Sequence, residues 1–169
     1  MAILSWGKPS LYLSKASESK WKKLPDPVED STVLTTTKGD KVEAKVEGGE
    51  NEGVRYGKNT YSLAFNIRAV AGRKKPVADS DGIIDGEYKL ALVPENPSAP
   101  GLMIDRGTLS IEDTWSAADG GIWNYILDAL KPESGDQVKW GKAVVSGTDD
   151  APTITFTEDS EGDASVLKN

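Results

Sequence analysis

The stretch TYSLAFNIRAV, residues 60–70, decides the fold class of this chain. Apolar and polar side chains alternate along it, so every second residue would point to the same side of an extended strand. The side with the large apolar groups would carry Tyr61, Leu63, Phe65, Ile67 and Ala69. The stretch therefore predicts a β-strand with one face in a hydrophobic core.

Segments of the same character recur along the chain, each bounded by Gly, Pro, Asn or Asp. About eight short strands separated by turn residues are typical of an all-β sandwich or barrel. With 169 residues the chain can form one domain with a sizeable core, so we expect a single mainly β domain over residues 1–157 and at most one or two short helices. Besides 60–70, the predicted strands are residues 9–15, 32–37, 41–47, 86–93, 107–115, 137–145 and 152–157.

Residues 122–132, IWNYILDALKP, fit two patterns. The interval from Trp123 to Ile126 fits one turn of a helix, whereas the interval from Trp123 to Tyr125 fits one repeat of a strand. The preceding SAADGG, residues 116–121, is typical of a hairpin loop that would fold this segment back on the strand before it. Because a hairpin needs a second strand, we favour a strand over a helix for residues 122–132.

The stretch KVEAKVEGGENEGVRYGKN, residues 41–59, begins as a strand and then loses its apolar pattern. Lys38-Gly39-Asp40 is typical of a tight turn, so we expect strands 32–37 and 41–47 to pair as a hairpin. Residues 47–59 contain four glycines and few apolar groups, so ordering them costs entropy and buries little. A long loop of this kind in a compact domain usually carries a function, and without catalytic side chains we expect contact with a partner. The predicted contact residues are Glu47, Gly48, Gly49, Glu50, Asn51, Tyr56, Gly57 and Lys58, presented by a hairpin containing Val42, Ala44 and Val46.

Composition excludes several classes of function. The chain has no cysteine and no histidine, which removes disulfides, thiolate or imidazole metal sites and the usual activated nucleophiles. The net charge of −7 disfavours general binding to nucleic acid. The first residues lack the basic segment of a signal peptide, and no apolar run is long enough to span a membrane. Residues 158–169 are acidic and poor in core formers, which predicts a mobile tail.

Two acidic patterns could carry chemistry. Residues 79–87, DSDGIIDGE, offer hard oxygen ligands for Ca²⁺, but Ile83 stands at the fifth position of an EF-hand loop and no Glu at the twelfth, so an acidic turn is the favoured interpretation. Glu112 and Asp113 are neighbours on a predicted strand and would point to opposite faces, which disfavours a glycosidase pair. The acidic side chains of the first pattern are Asp79, Asp81, Asp85 and Glu87.

Aromatic and basic residues give two further patterns. The five tryptophans could stack on sugar rings, but three of them lie in strand-like segments and are expected in the core or an interface. These three are Trp115, Trp123 and Trp140, whereas Trp6 and Trp21 are expected to be exposed. The run Arg73-Lys74-Lys75 is expected to be a solvated turn, with an electrostatic contact to a partner as the alternative.

Four motifs together resemble a known family. The chain is similar over most of residues 1–145 to the tail tube proteins of tailed bacteriophages and related prophage particles. The Thr-rich segment that leads to Glu-Gly-Gly-Glu and then to an aromatic alternating strand is the most specific part. The motifs are SWGKP (5–9), LTTTKGDKVEAKVEGGENEGVRYGKNTYSLAFNIR (34–68), DGGIWNYILDALKP (119–132) and QVKWG (137–141).

This resemblance implies a β-sandwich or β-barrel subunit that forms hexameric rings stacked into a tube, without enzymatic activity, cofactor or metal. An inner sheet continued from subunit to subunit would line the lumen, and residues 47–59 would form an arm that reaches a neighbouring subunit or ring. The implied partners are copies of this chain and other tail proteins (initiator, terminator, sheath or tape measure), with DNA as a transient passenger. The implied location is the virion tail, after assembly in the host cytoplasm and without a membrane. A monomeric carbohydrate-binding or adhesion domain is the alternative.

Overall fold

The computed structural model describes residues 2–159, which form an all-β structure with no helix in that range. The mainly β prediction is confirmed, with eleven strands instead of about eight. No helix among the described residues is long and apolar enough to cross a membrane. The strands are β1 (Ser10–Lys15), β2 (Lys22–Lys23), β3 (Val33–Thr37), β4 (Lys41–Lys45), β5 (Asn51–Tyr56), β6 (Thr60–Arg68), β7 (Tyr88–Val93), β8 (Gly101–Ser116), β9 (Gly120–Ala129), β10 (Lys139–Thr148) and β11 (Ala151–Glu158).

Nine strands form one antiparallel sheet that is built around the 16-residue strand β8. The first part of β8 pairs with β7 on one side and with β10 on the other, and its second part, from Gly107 onward, pairs with β9. The register shifts between Tyr88 and Leu90, where β7 meets the middle of β8, as a β-bulge does. The sheet thus has two parts that share β8: β2-β1-β7-β8-β10-β11 and β8-β9-β6-β3.

The main hydrophobic core lies between these two parts. Leu90 and Ile104 come from the first part and Leu63 and Leu127 from the second, and all four are fully buried. Phe65 and Tyr125 stack with their ring centroids 5.4 Å apart. The core confirms the prediction for residues 60–70 and the choice of a strand for residues 122–132, and the β8–β9 hairpin confirms the predicted turn at 116–121.

A second, smaller core lies on the other face of β1 and β7, where β10 and β11 curl over the sheet. A Cβ atom at Gly141 would overlap the carbonyl oxygen of Thr157 and lie 3.0 Å from the Phe156 ring, so only glycine fits this close approach. The curl brings apolar side chains of β11 onto the sheet. The buried members of this core are Tyr12, Ala91, Val93, Met103 and Ala143.

The predicted hairpin of residues 32–37 and 41–47 is wrong, because β3 pairs with β6 and β4 pairs with β5. Beside β6, Leu34 of β3 packs against the main core, whereas β4 offers no side chain that reaches it. Strand β5 lies inside the predicted loop 47–59. Of the predicted tail 158–169, Glu158 ends β11, and residues 160–169 lie outside the described residues.

Candidate functional site

Strands β4 and β5 form a two-stranded hairpin of their own, here called the arm (residues 41–56). Every residue of the arm is exposed, and neither strand pairs with the nine-stranded sheet. A two-stranded hairpin that packs on nothing is marginally stable in water. The arm therefore gains no stability from packing against the rest of the described chain.

The arm leaves the sheet where β3 ends and β6 begins. The amide of Gly57 donates to the carbonyl of Asp40 (2.8 Å), and the amide of Gly39 donates to Asn59 Oδ1 (3.1 Å). A Cβ atom at Gly39 would overlap the carbonyl group of Gly57, so glycine here permits two backbone segments to cross and does not form the turn that the sequence suggested. Lys38 Nζ lies 4.7 Å from the Tyr56 ring centroid, a cation–π contact at the same base.

The turn of the arm contains the predicted contact residues Glu47, Gly48, Gly49 and Glu50. The amide of Gly49 donates to the carbonyl of Val46 (3.1 Å), and Gly48 and Gly49 have φ values of 96° and 89°, which favour glycine. Among the described residues, neither Glu47 nor Glu50 forms a salt bridge, and the same holds for Glu52 on β5. The tip of the arm therefore presents three exposed carboxylates.

The two faces of the arm have different side chains. On one face Glu43 lies between Lys41 (2.7 Å) and Lys45 (3.5 Å), and the cross-strand partners on this face are Val54 and Tyr56. On the other face Val42 and Ala44 lie opposite Arg55 and Gly53. The apolar side of Val42, Ala44 and Val46 was predicted to hold a hairpin, but it packs on nothing. Asn51 begins β5, and Gly57 and Lys58 follow its end.

The sheet part β3-β6-β9-β8 has two open edges. Strand β3 pairs only with β6, and beyond Gly107 the outer edge of β8 is met only by an isolated bridge from Ile83 to Ser110 among the described residues. The face of this part away from the core has mostly hydroxyl and amide side chains, and none of its residues is buried. Its charged members are Arg68, Glu112 and Asp128, so this face has a net charge of about −1.

The end of this sheet part opposite to the arm is basic. There the Arg68 guanidinium donates to the carbonyl of Asp119 (2.7 Å), and the Arg73 guanidinium donates to the carbonyl of Arg68 (2.9 Å). Both acceptors are carbonyl groups, and neither guanidinium pairs with a carboxylate among residues 2–159. Exposed Lys74 has no carboxylate partner in that range either. We call Arg68, Arg73 and Lys74 the basic end. Trp115, 76 % exposed, lies beside it.

Lys75, the third residue of the basic run, has a structural role. Its Nζ contacts Asp79 at 2.8 Å and Asp113 at 2.9 Å, which raises the pKa of Lys75. The Lys75 hydrogen bond, together with the Gly82 amide, holds the pKa of Asp79 below its ordinary value. The solvated-turn interpretation is therefore wrong for Lys75, whereas Lys74 is exposed, which fits both a solvated turn and a contact with a partner.

Of the four acidic candidates in residues 79–87, Asp79 and Glu87 form ion pairs, whereas Asp81 and Asp85 are exposed and form none among residues 2–159. Glu87 forms a bidentate pair with Arg106 (2.6 and 2.7 Å), and the hydrogen bond from Arg106 lowers the pKa of Glu87. Within the described part of the chain, no group of three acidic side chains is placed to hold a metal ion. Glu112 lies opposite Asn124 and Asp113 opposite Trp123, so the two carboxylates alternate across the sheet as a strand requires.

The tryptophans lie partly where the sequence predicted. Trp123 packs against the main core and Trp6 is 74 % exposed, as expected. Trp115 and Trp140 are exposed and are not core residues, and Trp21 is partly buried against the second core, with Lys89 Nζ 5.1 Å from its ring centroid. The alternation along a strand predicts on which face of the sheet a ring lies. It does not predict whether other residues cover that face at that position.

No protein-family model matches the chain, and no curated protein matches its sequence.

Proposed function

We propose that this protein is a structural subunit that assembles with copies of itself into stacked, hexameric rings, as the tail tube of a tailed bacteriophage or a related particle does. The observation that carries the proposal is the arm, a hairpin with both faces exposed and no packing within its own chain. Four of its large apolar side chains are 43–54 % exposed, which is costly in a monomer and is relieved when a neighbour covers them. These side chains are Val42, Val46, Val54 and Tyr56.

The open edges of the four-stranded part support the ring. Strand β3 and the second part of β8 are the two edges of one antiparallel sheet, so the β3 edge of one copy can pair with the β8 edge of the next. If the rotation between copies closes, repetition of this contact generates a ring in which neither of these two edges is free. The face away from the core would then line the bore.

The side chains of that face suit a passage for DNA. Hydroxyl and amide groups predominate, and the three charged residues are one cation and two carboxylates. A surface of this kind offers few cations to hold phosphate, so DNA would pass without being bound. In this proposal the protein assembles in the host cytoplasm and then functions in the virion tail, in contact with other tail proteins.

Electron microscopy of the purified protein across a concentration and salt series, with light-scattering mass on the same samples, tests the proposal. Rings or tubes with a central bore are expected for the full chain. A variant in which Gly-Gly replaces residues 41–56 should remain folded without stacking, because Asp40 and Gly57 are already joined by a 2.8 Å hydrogen bond. The matched control replaces the exposed residues 133–136 in the same way and should assemble normally. Stacking of the arm-less variant at the parent level would refute the proposal.

A second candidate, a carbohydrate-binding or adhesion domain, is favoured by the exposed rings of Trp115 and Trp140. Sugars that stack on these rings would change the tryptophan fluorescence. A strictly monomeric protein whose fluorescence responds to a glycan, and loses the response on Trp115→Ala, would favour this candidate over the tube.

A further inference from the structure

We infer that the acidic tip of the arm in one copy binds the basic end of the next copy, so that copies join head to tail along the strand direction. This inference rests on the proposed function and names the surface that receives the arm. It also gives a role to the Arg73-Lys74 pair, whose contact with a partner the sequence left open.

The two surfaces lie at opposite ends of the same sheet part. Strand β6 begins at Thr60, beside the base of the arm, and ends at Arg68. The amide of Ala69 donates to the carbonyl of Gly121 (2.9 Å), which fixes the chain after β6 to the tip of the β8–β9 hairpin. When copies are translated along the strands, the arm of one therefore faces the basic end of the next.

The charges of the two surfaces are complementary. The tip presents Glu47, Glu50 and Glu52, and the basic end presents three cations. None of these six groups has an oppositely charged partner among residues 2–159, although Lys75 next to them has two. Asp119 lies close to these cations, since Arg68 donates to its backbone carbonyl, but its carboxylate forms no ion pair with them among residues 2–159. In a chain with a net charge of −7, three neighbouring cations without an ion pair are a feature that a partner's acidic segment would explain.

Apolar groups lie beside the charges on both surfaces. At the basic end Trp115 is 76 % exposed and Val70 is 46 % exposed, and next to the tip Val46 is 43 % exposed. A contact that joins an aromatic anchor with a rim of charge pairs has the composition of a specific protein interface. The arm is also long enough, because about eight residues at about 3.3 Å each reach about 25 Å from its base.

The contact is heterologous, since the two surfaces differ. The pairing of β3 with β8 is heterologous too, and such a contact generates a ring if its rotation closes and an open stack if it does not. The β3–β8 contact is expected to close within a ring, whereas the contact between the tip and the basic end, which relates copies by translation along the strands, is expected to generate the stack. A variant can therefore lose the contact that builds the stack and keep the contact that closes the ring, or the reverse.

Disulfide trapping tests the inference directly, because the chain has no cysteine of its own. Full-length Glu50→Cys and Lys74→Cys variants are mixed under oxidising conditions, and a disulfide between the different variants joins an arm to a basic end. The control mixture contains Glu50→Cys with Lys142→Cys, which replaces another exposed lysine, on β10. We expect about tenfold or more cross-linked dimer over the control, because docking raises the local concentration of the two thiols. Equal yields in the two mixtures would overturn the inference.

Charge exchange gives an independent test. Glu47→Lys/Glu50→Lys and Arg68→Glu/Lys74→Glu should each abolish stacking alone, because each variant then has two ends of like charge. Mixed, they should stack in alternation. All four side chains are exposed, so the melting temperatures should stay near that of the parent. If either variant stacks alone as well as the parent does, the contact does not exist.

The two tests separate this inference from the proposed function. Rings by electron microscopy without preferential cross-linking at Lys74 would overturn the inference and keep the ring. Cross-linked linear strings without a bore would support the inference and overturn the ring. A parent protein that does not assemble, together with no preferential cross-linking between the Glu50→Cys and Lys74→Cys variants, would overturn both.

Discussion

Substitution of Gly39 by alanine should open the base of the arm and leave the rest of the fold intact. A Cβ atom at this position would overlap the carbonyl group of Gly57 and lie 2.6 Å from the carbonyl oxygen of Lys58. All of these contacts are with backbone atoms, so no side chain can rotate away to make room. The crossing segments must separate, which breaks the Gly57–Asp40 and Gly39–Asn59 hydrogen bonds at 2.8 and 3.1 Å.

The magnitude follows from these two hydrogen bonds. At about 1 kcal/mol net for each, the closed base is destabilised by about 2 kcal/mol, which corresponds to a roughly 30-fold larger opening equilibrium. Hydrogen exchange at the amides of Gly39 and Gly57 should accelerate by about that factor. The free energy of global unfolding should change by less than about 0.5 kcal/mol, because the arm contributes no buried side chain.

Gly57→Ala is the matched control. The nearest atom to a Cβ at Gly57 is the Asp40 amide nitrogen at 3.4 Å, an ordinary contact, so exchange at the base should stay near that of the parent. Under the proposed function, Gly39→Ala should also slow assembly while Gly57→Ala does not. Equal exchange rates in the two variants would refute the explanation of Gly39 as a close backbone crossing.

Three other substitutions test the fold. Phe65→Ala removes a ring that is 1 % exposed and should cost about 3–5 kcal/mol in urea unfolding, and a cost below about 1 kcal/mol would contradict its place in the core. Gly141→Ala would force a Cβ into the carbonyl of Thr157 and should cost about 1–3 kcal/mol, whereas a neutral effect would contradict the tight curl of β10 on β11. The folded-state pKa of Asp79 is below its ordinary value of 3.8, so its ionised form stabilises the fold above that pH, and the contribution is lost as pH falls through the lower folded pKa. Between about pH 4 and pH 2 the parent should therefore lose more stability than Asp79→Asn does, and equal losses in the two proteins would contradict the role of the Lys75–Asp79 ion pair.

The sequence predicts the central strands well because their faces differ strongly. Along β6 large apolar residues alternate with small or polar ones, and only an extended strand brings Leu63, Phe65 and Ile67 to one side. The β8–β9 hairpin follows from the same reasoning with a glycine loop between two such strands. In both cases the burial of one face determines the structure, and the alternation of apolar and polar side chains shows which face is buried.

The arm could not be predicted in the same way, because neither of its faces is buried. Strand β5, NEGVRY, has no apolar alternation, and its pairing with β4 depends on backbone hydrogen bonds and on the turn at Gly48 and Gly49. Two segments with glycine, one at Gly39 and one at Gly48 and Gly49, could each have formed the turn of a hairpin. The sequence does not distinguish a glycine that turns the chain from a glycine that lets two backbone segments cross, as Gly39 does. The basic end was missed for a related reason, since Arg68 and Arg73 are brought to the tip of β8–β9 only by the fold.

The composition of the edge strand β3 is a further argument for the proposed assembly. Edge strands usually discourage pairing with other chains through charged residues, proline or bulges. Strand β2, at the opposite edge, is Lys22-Lys23 and fits that rule, whereas β3, VLTTT, is uncharged, regularly paired and rich in residues that favour strands. An edge of this composition would be a hazard in a protein that works as a monomer. It is an advantage in an assembly in which another copy covers the same edge. The β3 edge and the arm thus share one property, because both are unprotected surfaces that the proposed assembly would cover.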